Sequence, residues 1–158
     1  MKTSKMVSYE IFLSLLLFIS LYNAQELITT NTGLQFEDTE TVNNCNSKAE
    51  IGTLLSVHYS GYFVNGTKFD SSYDRNEPLT LILGECPTTL IRGWVEGLRG
   101  MCEGEKRKLI IPPSLGYGEE GKGIIPGNTT LQFDVELTKL YENANKDEFQ
   151  EIRKKFNC

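Results

Sequence analysis

Leu90-Ile91-Arg92-Gly93-Trp94-Val95-Glu96-Gly97-Leu98-Arg99-Gly100-Met101 is the stretch on which the rest of the chain depends. Leu90, Trp94 and Leu98 recur every fourth residue, and Ile91 and Val95 lie beside them. That spacing predicts an apolar helix face. Thr88 and Thr89 can cap the start, and Gly100 suits the left-handed turn that ends a short helix. Gly93 and Gly97 each cost such a helix about 1 kcal/mol relative to Ala. Their presence points to close packing on another element. Trp94 is the only tryptophan. Two readings are open for it: a core filler, or the floor of a ligand pocket.

Working outward, the flanking runs read as strands. Towards the N-terminus, residues 53–63 place Leu55, Val57 and Tyr59 on one face, and Leu34 and Phe36 alternate as in an edge strand. Asn65-Gly66 signals a type I′ hairpin turn. Residues 79–83 form a further strand ended by Gly84. Towards the C-terminus, residues 106–111 and the regular alternation of 131–140 add two more. Lys106, Arg107 and Lys108 read as a solvated edge, too short a run for a nucleic-acid site. Strands around one short helix indicate an α+β domain with an antiparallel sheet wrapped on the helix. The glycine-rich loop 113–127 lacks the pattern of a phosphate cradle, and its Tyr117, Ile124 and Ile125 need burial or a ligand.

The chain has 158 residues, 39% hydrophobic and 23% charged, enough for one ordinary globular core. Its net charge of -5 argues against nucleic acid as a partner. Lys2 and Lys5 precede an apolar run over 11–22, the pattern of a secretory signal peptide over residues 1–24. Tyr22 is bulky three residues before the cut, so the cleavage position stays open. The mature chain is then expected to carry no stable membrane insertion. Four cysteines, Cys45, Cys86, Cys102 and Cys158, have no Cys-x-x-Cys spacing, and no metal site is expected. In an oxidising compartment they suggest two disulfides with three connectivities. Asn65 and Asn128 begin glycosylation acceptor triplets. His58, the only histidine, has no hydrolase pattern around it and reads as structural.

Taken together, Val57-His58-Tyr59-Ser60-Gly61, Phe69-Asp70-Ser71-Ser72, Ile91-Arg92-Gly93-Trp94, Gly116-Tyr117-Gly118, Ile124-Ile125-Pro126 and the run 131–137 occur in one order. This resembles the FK506-binding protein family of peptidyl-prolyl isomerases over roughly residues 48–141, with the secretory-pathway, 13-kDa branch the most similar. The resemblance implies a curled five- to six-stranded antiparallel sheet around one short helix. It implies catalysis of X-Pro rotation with no cofactor, by a monomer that acts on proline-containing polypeptides and binds FK506- or rapamycin-type macrolides, in the endoplasmic reticulum lumen or after secretion.

By the same resemblance, Tyr59, Phe69, Asp70, Arg75, Leu90, Ile91, Trp94, Tyr117, Ile124, Ile125 and Phe133 form the pocket. Asp70, Tyr59, Phe69, Tyr117 and Trp94 are its catalytic set, and Trp94 becomes the floor. A Cys45–Cys102 disulfide is implied as well, which leaves Cys86 and Cys158 to pair with each other or to leave Cys158 free. Leu79 stands where the family often has Phe, and Lys122 lies near a family His. Residues 25–47 are then an N-terminal extension with the first strand. Residues 142–158 are a tail in which Phe149, Ile152 and Phe156 share one helical face. The interior glycines of the 90–98 helix are expected where strands approach it closely.

Overall fold

Alternation along 131–140 carries directly into the longest strand pairing of the molecule. The computed structural model describes residues 26–87 and 89–158; the expected signal peptide over 1–24 and Thr88 lie outside them. Its strands are β1 (Ile28–Thr29), β2 (Gln35–Glu40), β3 (Leu54–Phe63), β4 (Lys68–Ser71), β5 (Leu79–Ile82), β6 (Lys106–Ile111) and β7 (Leu131–Leu140). They form one seven-stranded sheet in the order β1-β2-β6-β7-β3-β4, with β5 also paired to β3. All pairings are antiparallel. The two-residue β1 takes the count one past the expected six.

Helix α1 (Arg92–Leu98) lies against the concave face. Leu55, Val57, Tyr59, Leu109, Ile111, Phe133, Val135 and Leu137 point into that face and bury Trp94 and Leu98. The period of two in β6 and β7 places these side chains inward without further help. A Cβ on Gly93 would lie 2.5 Å from Ile111 Cγ2, and one on Gly97 would lie 2.7 Å from Leu109 Cδ1. The two glycines are therefore where β6 touches the helix backbone. Gly93→Ala gains about 1 kcal/mol of helix propensity but overpacks a closed contact at about 1–3 kcal/mol. Net destabilisation is expected in urea unfolding; a raised midpoint would show that Ile111 moves aside freely.

Three local expectations are corrected. Helix α1 is capped by the backbone of Ile91 (φ -66°, ψ 145°), with no side-chain cap. Thr89 lies inside a turn closed by the Leu90 N–H on the Pro87 carbonyl, 3.1 Å, and Leu90 and Ile91 separate it from the first helical residue. An N-cap must be the residue next to the helix, so Thr89 cannot serve. The β3–β4 connection is not type I′, because Gly66 (φ 86°) is left-handed and Asn65 is not. The Gly66 N–H closes on the Phe63 carbonyl at 2.9 Å, and Phe63 N–H on Thr67 at 2.9 Å, the pattern of a three-residue loop with a glycine bulge.

Arg107 is the third correction. It is 7% exposed, not solvated. Its guanidinium donates to Asp38 at 2.5 Å and to the carbonyls of Gly97 and Arg99 at 2.7 and 3.1 Å. It thus satisfies carbonyls that the end of α1 leaves unpaired. Lys106 and Lys108 do lie outward, paired with Glu40 and Glu37.

The tail forms a second helix, α2 (Lys146–Phe156). Asn145 caps it, accepting from the N–H groups of Asp147 and Glu148, while Glu148 accepts the Asn145 N–H. Phe149, Ile152 and Phe156 pack on Leu54, Ile82 and Cys86, on the side of the sheet away from α1. That is why β3 buries Leu54 as well as its inward face; Ser56, on the same side, is covered by Thr80 and Tyr141, to which its hydroxyl is hydrogen-bonded. Both disulfides are formed, Cys45–Cys102 and Cys86–Cys158. Among the described residues, no helix is long and apolar enough to cross a membrane.

Candidate functional site

The open end of the curled sheet leaves a cavity of about 190 Å³ over the start of α1. Trp94, 3% exposed, forms its floor. Tyr59 and Trp94 meet edge to face with centroids 4.9 Å apart, Trp94 and Phe133 at 5.2 Å, and Phe69 and Phe133 at 5.6 Å. Mutually perpendicular rings brace one another through their quadrupoles and keep the walls upright. A Cβ on Gly61 would come within 2.7 Å of Phe69 and 2.8 Å of Phe133, so glycine in mid-strand makes room for both rings.

One wall is charged. Tyr59 donates its hydroxyl to Asp70 Oδ2 at 2.5 Å. Arg75 donates through Nη1 to Asp70 Oδ1 at 2.5 Å and through Nη2 to the Tyr59 oxygen at 2.8 Å. Asp70 comes from β4 and Tyr59 from β3, brought side by side by the pairing of Gly61 with Asp70. Arg75 reaches back from the turn after β4. Burial pushes the Asp70 carboxyl up, but the hydrogen bonds from Tyr59 and Arg75 outweigh it and hold it below its ordinary 3.8. Burial and the Asp70 hydrogen bond push the Tyr59 phenol up to about 12.

Those directions set a pH dependence. Asp70 is ionised and Tyr59 protonated across neutral pH, so activity that uses this pair is expected to be flat between about pH 5 and 9. The sign for stability follows from the lowered carboxylate. Its contribution is full above the ordinary value of 3.8 and is lost as pH falls through the lower folded value. A titration step in kcat/KM near neutrality would mean that another group controls the reaction.

The cavity brings together Tyr59, Phe69, Asp70, Leu90, Ile91, Trp94, Tyr117 and Phe133 of the expected set. Arg75 stands behind Asp70, not on the lining. Ile124 projects into solvent, 73% exposed, and Ile125 turns into the core, 9% exposed; neither lines the cavity. A tight loop explains their divergence: Lys122 and Ile125 exchange backbone hydrogen bonds at 2.9 and 3.0 Å, leaving Ile124 at the tip. Leu79, Pro87, Thr89 and Lys122 also line the cavity. Pro87 and Thr89 carried no periodic signal, since they lie on an irregular loop. The Tyr117 phenol is raised by burial and by the Asp70 charge. His58 faces away, bonded through Nδ1 to Ser72 Oγ at 2.9 Å, and Ser72 accepts the Tyr59 N–H at 2.8 Å. Asn65 and Asn128 are both exposed.

An apolar box with one fixed carboxylate suits a cyclic, apolar group joined to a polar amide. Comparison with known proteins agrees. Residues 45–138 match the sequence profile of the FKBP-type peptidyl-prolyl cis-trans isomerase family. "FK506-binding protein 2B" of Rhizopus delemar is 55% identical over 98 residues, 61% of this chain but 46% of that protein, so the match spans about half of that relative. "Peptidyl-prolyl cis-trans isomerase FKBP2" of Homo sapiens is 49% identical over 108 residues, 68% of this chain and 75% of that one. Among solved structures, AtFKBP13 superposes with TM-score 0.66 at 36% identity, covering 73% of this chain and 98% of that one. FkpA from Escherichia coli superposes with TM-score 0.66 at 37% identity, covering 77% and 54%.

Proposed function

The chain belongs to the FKBP-type peptidyl-prolyl cis-trans isomerase family, and from that premise we propose that it accelerates X-Pro rotation in proteins folding in the secretory pathway and binds FK506- or rapamycin-type macrolides in the same cavity. The single observation that carries this reading is the aromatic box closed on one side by the Tyr59–Asp70–Arg75 triad.

Rotation about an X-Pro amide meets a barrier of about 18–20 kcal/mol and takes tens of seconds or more unaided. No bond breaks, so no nucleophile is needed. Amide resonance must be weakened. The planar amide is more dipolar than the twisted one, so an apolar cavity favours the twisted state. Trp94, Phe69, Tyr59, Ile91 and Phe133 bury the prolyl ring in this reading. The Ile91 N–H and the Tyr117 hydroxyl hold substrate carbonyls, and Asp70, oriented by Tyr59 and Arg75, polarises the twisting amide. Catalysis is differential binding of the twisted state.

Two disulfides that use all four cysteines suit an oxidising compartment and support the secretory assignment. The test is isomerisation of a proline peptide by the mature protein, with and without FK506. Acceleration that FK506 abolishes is expected. Peptide binding without acceleration would make the domain a holder of proline segments and sink the enzymatic reading.

A further inference from the structure

We propose that the C-terminal helix is a clamp on one wall of the cavity, and that Cys158 and Phe149 are positioning residues for substrate binding. This rests on the isomerase reading above. The cavity has two walls of different construction. Tyr59, Phe69, Asp70 and Phe133 all stand on regular strands: β3 and β7 pair along their length, and β4 pairs with β3. Leu79, Pro87, Thr89 and Leu90 stand on β5 and the loop that follows it. Strand β5, like β4, pairs with β3 alone, so what sets this wall apart is the irregular loop that carries Pro87, Thr89 and Leu90. Among the described residues, the backbone hydrogen bonds of residues 85–90 close on Ile82, the last residue of β5, or on Pro87.

Leu79 and Leu90 of this wall pack on the main core, and helix α2 adds a second support from the other side. Phe149, Ile152 and Phe156 pack on Ile82 of β5 and on Cys86. The Cys86–Cys158 disulfide bonds the end of the chain to the residue just before Pro87. Two ion pairs bracket the same segment. Lys155 meets Glu77 at 3.2 Å, two residues before Leu79, and Arg153 meets Glu85 at 2.9 Å, next to Cys86. Exposed pairs of this kind add little energy, so the disulfide and the apolar face carry most of the clamp. Covalent bond, apolar face and ion pairs thus converge on residues 77–90; the apolar face also rests on Leu54 at the start of β3, but Tyr59, Phe69, Asp70 and Phe133 are not among its contacts. A rim ordered in advance lowers the entropy lost when a ligand docks. The clamp therefore acts on substrate affinity, not on the twisting step.

The test compares the mature wild-type chain with Cys86→Ser/Cys158→Ser and, with the disulfide intact, Phe149→Ala. Expected for the double variant are a KM for a proline tetrapeptide raised about fivefold and a kcat within about twofold. Amide exchange over residues 83–91 should accelerate while exchange over 57–71 stays as in wild type. Phe149→Ala should move both readings the same way by less, and it decides the matter if the double variant does not fold. Unchanged KM with unchanged exchange at 83–91 overturns the clamp, as does a fall in kcat alone. Should the wild type not isomerise, the peptide dissociation constant replaces KM, so the clamp and the enzymatic reading fail separately.

Discussion

Asp70→Val is expected to lower kcat/KM for a proline peptide by about 10²-fold, the range seen when a preorganised electrostatic group is removed. The apolar replacement is one heavy atom shorter, keeps an aliphatic surface on the wall, and removes both acceptor oxygens. Tyr59 then loses its 2.5 Å acceptor, and Arg75 keeps only the Tyr59 oxygen at 2.8 Å. The local field reverses, from a carboxylate held against the cavity to an uncompensated guanidinium beside it. Stability should change little, by about 1 kcal/mol or less, because the pair is half exposed and Arg75 can return to water. That separation of activity from stability is the useful feature of the substitution. Line-shape or exchange measurements on the peptide, with urea unfolding alongside, give both numbers. Activity within about twofold of wild type would show that the apolar box alone accounts for the rate, with the triad serving only to hold Tyr59.

Cys45→Ser/Cys102→Ser is expected to cost about 4 kcal/mol of folding free energy. The bridge closes a separation of 57 residues, and its loss frees the unfolded chain more than it alters the native one. In the folded state the same two segments remain joined by backbone. Ala49 donates to the Met101 carbonyl at 2.8 Å, and Gly100 donates to the Ala49 carbonyl at 2.8 Å. The cavity should therefore keep its shape and the variant its activity while folded. Urea unfolding should show a midpoint lower by about 2 M, taking a slope near 2 kcal/mol per molar. A loss below about 1 kcal/mol would mean that the unfolded chain is already restricted around these residues.

Much of this architecture was legible because it depends on short-range patterns. Alternation over 131–140 needs no knowledge of neighbours, and β7 spans those residues. The four-residue recurrence of Leu90, Trp94 and Leu98 placed α1 within two residues of its observed start. Gly93 and Gly97 announced a close approach, though not its partner. The Asn145 capping box was also written in the chain, as Asn three residues before Glu148, but the apolar face of the tail drew the reading instead.

What failed was whatever depended on a distant group. Lys106, Arg107 and Lys108 look alike in sequence. Only Arg107 goes inward, because the sheet alternates and because Asp38 and two helix carbonyls wait there. Ile124 and Ile125 are the same residue in sequence, yet one hydrogen-bonded loop sends them to opposite environments. Pro87 and Thr89 reach the cavity through an irregular loop that no periodicity describes.

The chain by itself determined its family, its strands and helix, and four residues that line the cavity, Trp94, Tyr59, Phe69 and Asp70. Side-chain spacing and residue type are enough for those, since they act over a few residues or through rare motifs in order. Only the tertiary structure decided that Arg75 braces Asp70 from behind, that Ile124 leaves the cavity, and that the tail closes on the rim through Cys86 and Cys158. Each of these joins elements far apart in sequence, or turns on a loop whose course is set by packing and hydrogen bonds, and no local pattern encodes that geometry.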